Sequence, residues 1–253
     1  MGGKVFIWAH PSTFPLLCRF AAIFRLRRDR RSAQSVGEVA QMKLYGFFLS
    51  SAAFRVRIAL NLKGLEYEYA SVNLTKDQHR TEEFARVNPQ QAVPTLIDGD
   101  RTLTQSLAII EYLEERYPKP PLLPASVDAR ARVRSIAQLI ACDIHPLNNR
   151  RVLVYLKAEL GLHKQQRDNW YRHWVMEGFR PLERKLSTSE QTGSFCHEET
   201  PTVADVCLVP QIFNARRYEI DLSPYPTLLR IFANCMQLEA FDRAQPSKQP
   251  DAE

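Results

Sequence analysis

Residues 50–64 read SSAAFRVRIALNLKG and combine a helix start, an amphipathic run and a helix stop. Within Ala52–Lys63 the pattern i, i+3, i+4, i+7 predicts a helix, and Gly64 is a typical C-terminal stop. Ser50 and Ser51 precede this helix, where free N–H groups and the helix dipole stabilise an anion. A serine hydroxyl placed there can lower the pKa of a thiol by donating to the thiolate. Serine is also an ordinary helix cap, so this stretch alone leaves both interpretations open.

The chain on either side of this helix predicts a small sheet. Runs of β-branched and aromatic residues indicate strands, at Lys43–Phe47, Tyr67–Val72, Val93–Ile97 and Arg101–Leu103. The last two strands flank the turn sequence Asp98-Gly99-Asp100 and predict a hairpin. An amphipathic helix is expected at Gln105–Tyr117. This order of elements predicts an α+β domain over residues 42–123.

A proline-rich linker separates this domain from a helical one. Residues 118–124 read PKPPLLP, and proline continues neither a helix nor a central strand. Beyond the linker the pattern predicts helices and no strands, at Asp128–Leu160, Gln165–Leu186, Thr202–Arg217 and Thr227–Leu238. We therefore expect an all-α domain over residues 124–253.

The basic charge of the chain belongs to its first residues. Residues 1–41 hold seven Lys and Arg against two Asp and Glu, whereas the rest holds 27 against 26. This extension is expected to be disordered, or to lie upstream of a second start at Met42. A targeting peptide and an anion-binding arm are the alternatives. The balanced remainder has no excess of basic residues for a nucleic-acid partner.

The cysteine spacing and the short apolar runs exclude disulfide-rich, metal-binding and membrane-spanning classes of protein. The five cysteines are scattered, without a CxxC motif or neighbouring histidines. We therefore expect no disulfide framework and no metal site, in keeping with a reducing cytoplasm. Apolar runs are too short for a transmembrane helix, so no membrane partner is expected.

Two further motifs indicate ligand contacts. In NPQQAVPTL, residues 88–96, proline interrupts a β-run. A cis bond before Pro94 and an edge strand with a trans proline explain this equally well. After the hairpin, Gln105 and Ser106 open a helix whose free N–H groups suit a carboxylate, or they simply cap it.

The chain thus contains three motifs: residues 50–64, residues 88–96 and the helix start at Gln105 and Ser106. In this order and spacing they resemble the motifs of the glutathione transferases. With TVADVCLVPQIFNARRYEIDLSPYPTL, residues 202–228, the chain is most similar to the zeta class, and the resemblance runs from about residue 42 to about residue 250. It implies a thioredoxin-like domain followed by an all-α domain, with glutathione as cofactor and a homodimer. The implied reaction is glutathione-dependent cis–trans isomerisation of maleylacetoacetate in tyrosine and phenylalanine breakdown, or of maleylpyruvate.

The resemblance also assigns roles to single residues. It implies catalytic roles for Ser50, Ser51 and Arg217, with Arg217 binding the acidic substrate. It implies glutathione contacts for a larger set: Ser50, Ser51, His79, Val93, Gln105, Ser106, His145 and Asn149. The structural positions that it implies are Pro94 and the helix-capping pair Thr202 and Asp205.

Some of these assignments have plain alternatives. His145 and Asn149 share a face if residues 128–160 form one helix, but His145 is also an ordinary helix residue beside Pro146. Arg217 is also a surface charge beside Arg216.

Two positions depart from the class pattern. Ala52 stands where eukaryotic members often carry cysteine, so a cysteine of the protein is not available there. Leu49 stands where some bacterial members carry arginine, which removes one contact to a substrate carboxylate. The alternatives to an isomerase are a detoxifying transferase or dehalogenase of small α-halo acids, and a binding module without catalysis.

Overall fold

The computed structural model describes residues 42–252 of the chain. The expectations for residues 1–41, including a disordered basic extension, lie outside the described residues.

A four-stranded sheet with the order β2-β1-β3-β4 forms the first part of the fold. Its strands are β1 (Met42–Gly46), β2 (Tyr67–Ser71), β3 (Thr95–Asp98) and β4 (Arg101–Thr104). β1 runs parallel to β2 and antiparallel to β3, and β3 and β4 form the expected hairpin. Leu44 and Leu96 lie opposite each other at the centre of the sheet, and both are fully buried. The predicted strands are confirmed, except that β3 begins at Thr95 instead of Val93.

Helix α1 (Ser51–Leu62) joins the sheet to the rest of the molecule. Ser50 caps it, because its side-chain oxygen accepts a hydrogen bond of 3.2 Å from the amide of Ala53. Gly64 has a φ of 64°, a left-handed conformation that favours glycine and ends the helix as predicted. α1 packs against both α3 (Ser106–Arg116) and α7 (Val203–Arg217). Its N-terminus therefore lies where the α/β and helical parts meet.

The helical part confirms the expected class and corrects one boundary. Its helices are α4 (Val127–Gln138), α5 (Arg150–Ala158), α6 (Lys164–Ser187), α7, α8 (Pro226–Met236) and α9 (Glu239–Arg243). α7 is buried over most of its length and lies at the centre. The sequence predicted no helix for α2 (Glu82–Val87), because a helix this short shows no clear periodicity. Within residues 42–252, every helix is too short or too polar to span a lipid bilayer.

The single helix predicted over Asp128–Leu160 is wrong. α4 passes into a π-helical turn at Leu139–Ile144 and a 3₁₀ turn at Pro146–Asn148, after which α5 begins. Pro146 has no N–H to continue the hydrogen-bond ladder, and Asn149 is extended, with φ −62° and ψ 144°. The prediction failed because apolar spacing continues across the break.

A buried ion pair holds the proline-rich linker in place. Lys63 at the end of α1 lies 2.8 Å from Glu114 of α3. Its ammonium also donates to the carbonyls of Tyr117 and Pro120, at 2.7 and 3.0 Å. Glu114 in turn accepts from the amides of Leu122 and Leu123. The segment that leaves the α/β part is therefore anchored to it.

Thr202 and Asp205 form the capping pair that the sequence predicted at the start of α7. Asp205 is fully buried. Its carboxylate accepts from the amide and hydroxyl of Thr202 at 2.8 and 2.9 Å, and from the amide of Cys196 at 2.8 Å. Burial raises the pKa of this carboxyl group, while the hydrogen bonds oppose the shift. The pair thus fixes both the helix start and the preceding loop.

Replacing Asp205 by alanine is expected to lower the free energy of unfolding by about 3–5 kcal/mol. The reason is that three buried donors would lose their acceptor. Chemical denaturation of the wild type and the variant measures this loss.

The matched control is Asp221→Ala, which removes an exposed carboxylate. An unchanged unfolding free energy for Asp205→Ala, combined with lost activity, would contradict the structural role.

Candidate functional site

A cleft of about 380 Å³ opens between the α/β part and the helical part. Its walls come from the loop before α1, the segments after β2 and before β3, the break between α4 and α5, and the end of α7. The predicted site residues that line it are Ser50, Ser51, His79, Val93, His145, Asn149 and Arg217. Distant parts of the sequence are therefore brought to one place.

Ser50 combines the two roles that its sequence context left open. Its oxygen accepts the cap hydrogen bond from Ala53, and the residue also faces the cleft. A hydroxyl has one donor besides its acceptor lone pairs. Capping therefore leaves the O–H of Ser50 free to donate to a group in the cleft.

Hydrogen bonds from Arg57 and from the C-terminal segment fix the loop that carries Leu49 and Ser50. The Arg57 guanidinium donates to the carbonyl of Phe48 at 3.1 Å and to that of Ala244 at 3.0 Å. The amide of Phe48 donates to Asp251 at 3.1 Å. The C-terminal segment thus fixes the residues just before the N-terminus of α1. Leu49 lines the cleft and Ala52 does not.

Ser51 points towards the helical part. It is buried, and its hydroxyl accepts a hydrogen bond from the side-chain amide of Asn214 on α7. The other end of this amide accepts from Arg217 at 3.1 Å. A single side chain therefore connects the serine on one wall of the cleft with the arginine on the other.

Arg217 faces the cleft, whereas Arg216 does not line it. Arg216 lies 4.3 Å from the ring of Phe232, on α8. The two neighbouring arginines therefore differ in their surroundings, which the sequence could not decide. Arg217 places an exposed guanidinium on the helical wall of the cleft.

The bond between Val93 and Pro94 is cis, one of the two alternatives that the sequence left open. Buried Asn88 organises this loop by donating to the carbonyl of Ala92 at 2.7 Å and to the hydroxyl of Thr95 at 3.0 Å. None of the backbone hydrogen bonds between loop residues in 42–252 involves Val93. Its backbone groups are therefore available beside the cleft.

Gln105 and Ser106 lie beside the cleft and do not line it. Gln105 donates at 3.0 Å to Gln90, which does line the cleft. Its φ of 68° is rare for a residue with a side chain and is typical of strained functional positions. Ser106 is buried, and its hydroxyl accepts from Arg55 at 3.4 Å.

Arg55 is a buried cation that the sequence analysis did not single out. It is 1% exposed, and its Nε and Nη2 atoms have no hydrogen-bond partner among residues 42–252. Burial lowers the pKa of its guanidinium. The sequence does contain a signal for it, because Arg55 and Arg57 are the two charged residues in a mostly apolar stretch of the predicted helix. Its positive charge lies behind the start of α3, where a carboxylate is favoured.

His79 and His145 both face the cleft in surroundings that disfavour a charge. Burial lowers the pKa of His79, and its Nδ1 atom is enclosed with no hydrogen-bond partner in the part of the chain that the structure describes. Burial lowers the pKa of His145 to about 3, and the nearby Arg55 and Arg151 guanidiniums contribute. Both side chains are therefore neutral at neutral pH.

The prediction that His145 and Asn149 share one helix face is wrong, because the helix breaks between them. His145 precedes the 3₁₀ turn, and Asn149 caps α5 by accepting from the amide of Arg151 at 3.1 Å. The bend nevertheless places both at the cleft.

The sequence analysis missed several residues that line the cleft. They are Asn148, Arg150, Arg151, Tyr171, Asn214 and Tyr218, among others. The rings of Tyr171 and Tyr218 stack with centroids 3.6 Å apart, and burial raises the pKa of both. This pair joins α6 to the end of α7, and no local pattern in the sequence indicates it.

Comparison with known proteins shows the family and the fold. The family model described as the N-terminal domain of glutathione S-transferase matches residues 40–115. A maleylpyruvate isomerase from Ralstonia is 48% identical over 211 residues, which cover 83% of this chain and 100% of the relative. A probable maleylacetoacetate isomerase from Vibrio cholerae is 50% identical over 212 residues, or 83% of this chain and 97% of the relative.

Solved structures agree with these relatives. One is the holo structure of a maleylpyruvate isomerase, a bacterial glutathione S-transferase in the zeta class. It has a TM-score of 0.82 and 48% identity, and the match covers 83% of this chain and 100% of that one. A maleylacetoacetate isomerase from Methylobacterium extorquens AM1, with malonate and glutathione bound, has a TM-score of 0.81, 44% identity and coverage of 83% and 99%.

The lowered pKa of His145 predicts a pH dependence of stability. Its pKa in the folded protein, about 3, lies below the ordinary value of 6.5. Between these two values the unfolded chain binds a proton that the folded chain does not, so stability falls as pH falls. From pH 7 to pH 5 the wild type should lose about 1–2 kcal/mol more than His145→Gln. Denaturant titrations at both pH values measure the difference.

The control His173→Gln removes an exposed histidine and should follow the wild type. Equal losses in the wild type and His145→Gln would show that His145 is charged in the folded protein.

Proposed function

This chain belongs to the zeta class of the glutathione S-transferase family, and on that premise we propose that it isomerises a maleyl-type diacid, maleylacetoacetate or maleylpyruvate, with glutathione. One observation carries the proposal. A free hydroxyl on a helix N-terminus and an arginine that forms no ion pair among residues 42–252 face the same cleft, from opposite walls. The first suits a thiolate and the second a carboxylate.

The residues around the cleft fit glutathione. Its γ-glutamyl carboxylate suits the free N–H groups at the start of α3, with Ser106 there and the positive charge of Arg55 behind it. The backbone of Val93 suits its cysteinyl unit, and His79, which lines the same cleft, supplies a polar side chain near its glycyl end. When bound, glutathione supplies a thiol that adds reversibly to the alkene, so that the bond can rotate.

The residues of the chain supply charge stabilisation and orientation. Donation from Ser50, together with the N-terminus of α1, favours the charged form of a thiol and lowers its pKa. Arg217 binds a carboxylate of the diacid and stabilises the negative charge that develops on the substrate. Neutral His145 adds no positive charge that would compete with Arg217 for the diacid.

Several finer assignments follow from the same premise. Family membership supports a homodimer and a place in tyrosine and phenylalanine breakdown. The four cysteines among residues 42–252 are unpaired, which supports a reducing cytoplasm. We assign glutathione binding mainly to residues 42–123 and diacid binding mainly to residues 124–253.

Isomerisation of maleylacetone should require glutathione and should not consume it. Ser50→Ala should lower kcat/KM about 100-fold, since one donor to the developing charge is lost. Arg217→Ala should lower kcat/KM about 10- to 100-fold, through both KM and kcat, since the substrate carboxylate and the developing charge lose the same partner. Steady-state kinetics with a separate thiol assay measure turnover and glutathione loss.

Arg216→Ala is the matched control, because it removes the same charge one residue away and outside the cleft. Consumption of glutathione with α-halo acids, without isomerisation, would overturn the proposal in favour of a detoxifying transferase or dehalogenase. Glutathione binding without either reaction would indicate a binding module.

A further inference from the structure

A second cavity adjoins the cleft on its helical side. It has a volume of about 410 Å³ and shares Leu153, Arg217 and Tyr218 with the cleft. Its other walls come from the start of α6 and from the residue after Tyr218. We call this cavity the basic annex, and its charged residues are Lys164, Arg167, Asp168, Arg172, Arg217 and Glu219.

The charges of the basic annex are not balanced. Lys164 and Asp168 form a pair at 2.6 Å and neutralise each other. The ion pairs found within residues 42–252 do not include Arg167, Arg172 or Arg217. Three guanidiniums remain, together with the carboxylate of Glu219, which forms no ion pair among the described residues either, so the annex keeps a net charge of +2.

These guanidiniums are held in place by neutral groups. Arg172 donates from Nε to the carbonyl of Tyr218 at 3.0 Å, and Arg217 donates to Asn214 at 3.1 Å. The Nε of Arg167 is enclosed and has no hydrogen-bond partner among residues 42–252. This nitrogen is closed to a ligand, so the terminal Nη1 and Nη2 atoms of Arg167 are the donors that the annex offers.

The end of α7 forms part of the wall of the annex. Glu219 has a φ of 53°, the left-handed conformation of a helix C-terminal cap. The amides of Glu219 and Ile220 donate to the carbonyls of Arg216 and Ala215, both at 3.0 Å. This cap fixes the position of Tyr218, whose carbonyl orients Arg172.

We propose that the basic annex binds a carboxylate, the far acid group of an elongated diacid that reaches past Arg217 from the cleft. The chemistry is that of a planar, forked donor meeting a carboxylate. Because Arg217 lines both cavities, it separates the reacting part of such a substrate from its far end. The choice of a diacid rests on the proposed function, whereas the choice of a carboxylate rests on the annex itself.

The test compares a long and a short unreactive diacid. Calorimetric titration of glutathione-saturated protein with suberate and with malonate gives both affinities without any turnover. Arg167→Gln should weaken suberate binding about 10- to 100-fold, the effect of one lost charge-assisted hydrogen bond. Malonate, which is too short to occupy both cavities, should change less than about twofold. Arg167→Lys, which keeps the charge, should lie between the wild type and Arg167→Gln.

Arg184→Gln is the matched control, since it removes an exposed arginine from the same helix, away from the annex. Melting curves of all variants exclude a folding defect. Unchanged suberate binding in Arg167→Gln, or equal losses for malonate and suberate, would overturn the proposal.

Kinetics with maleylacetone distinguish two sources of the carboxylate. Competitive inhibition by suberate, weakened in Arg167→Gln, supports the substrate's own far end. Non-competitive inhibition would overturn that part and assign the annex to a separate carboxylate ligand. If suberate binding depends on Arg167 but the protein does not isomerise maleylacetone, the proposed function is contradicted. The proposal that the annex binds a carboxylate is then still supported.

Discussion

The packing of α1 against α7 is the constraint on which the site depends. Phe54 and Phe213 meet edge to face, with ring centroids 6.0 Å apart, and the buried faces of both helices belong to one hydrophobic core. At the end of this contact, Asn214 bonds Ser51 on one side and Arg217 on the other. The wall suited to a thiolate and the wall suited to a carboxylate are therefore set by the same pair of helices. A shift of α7 along α1 would disturb both walls together.

Two buried cations of α1 work against stability. Arg55 and Arg57 are almost completely buried in α1, and burying a cation without a carboxylate is unfavourable. Arg57 is compensated by carbonyls of the loop before α1 and of the C-terminal segment. Arg55 is not, since two of its nitrogens lack partners among residues 42–252. A bound anion at the start of α3 would compensate the charge of Arg55. The buried Lys63 is already compensated, because it forms an ion pair with Glu114.

The sequence predicts the elements of the fold well where a pattern is local. The cap at Ser50, the stop at Gly64 and the box of Thr202 and Asp205 are confirmed because each depends on neighbouring residues. The break before Asn149 was not predicted, since apolar spacing continues through it. The roles of the site residues remain predictions, although most of these residues do line the cleft. Tyr171, Asn214 and the basic annex could not be found from sequence, because they depend on helices that meet only in the folded chain.

The most direct measurement is the effect of Asn214→Ala on two separate affinities, those for glutathione and for succinate. If the shared support is real, one substitution weakens both ligands several-fold, although each ligand is assigned to a different wall. Gln211→Ala, which removes another buried amide from the same helix, should weaken both much less at matched folded fraction. Loss of only one affinity in Asn214→Ala, or of neither, would contradict the claim that α1 and α7 hold the two halves of the site as one unit.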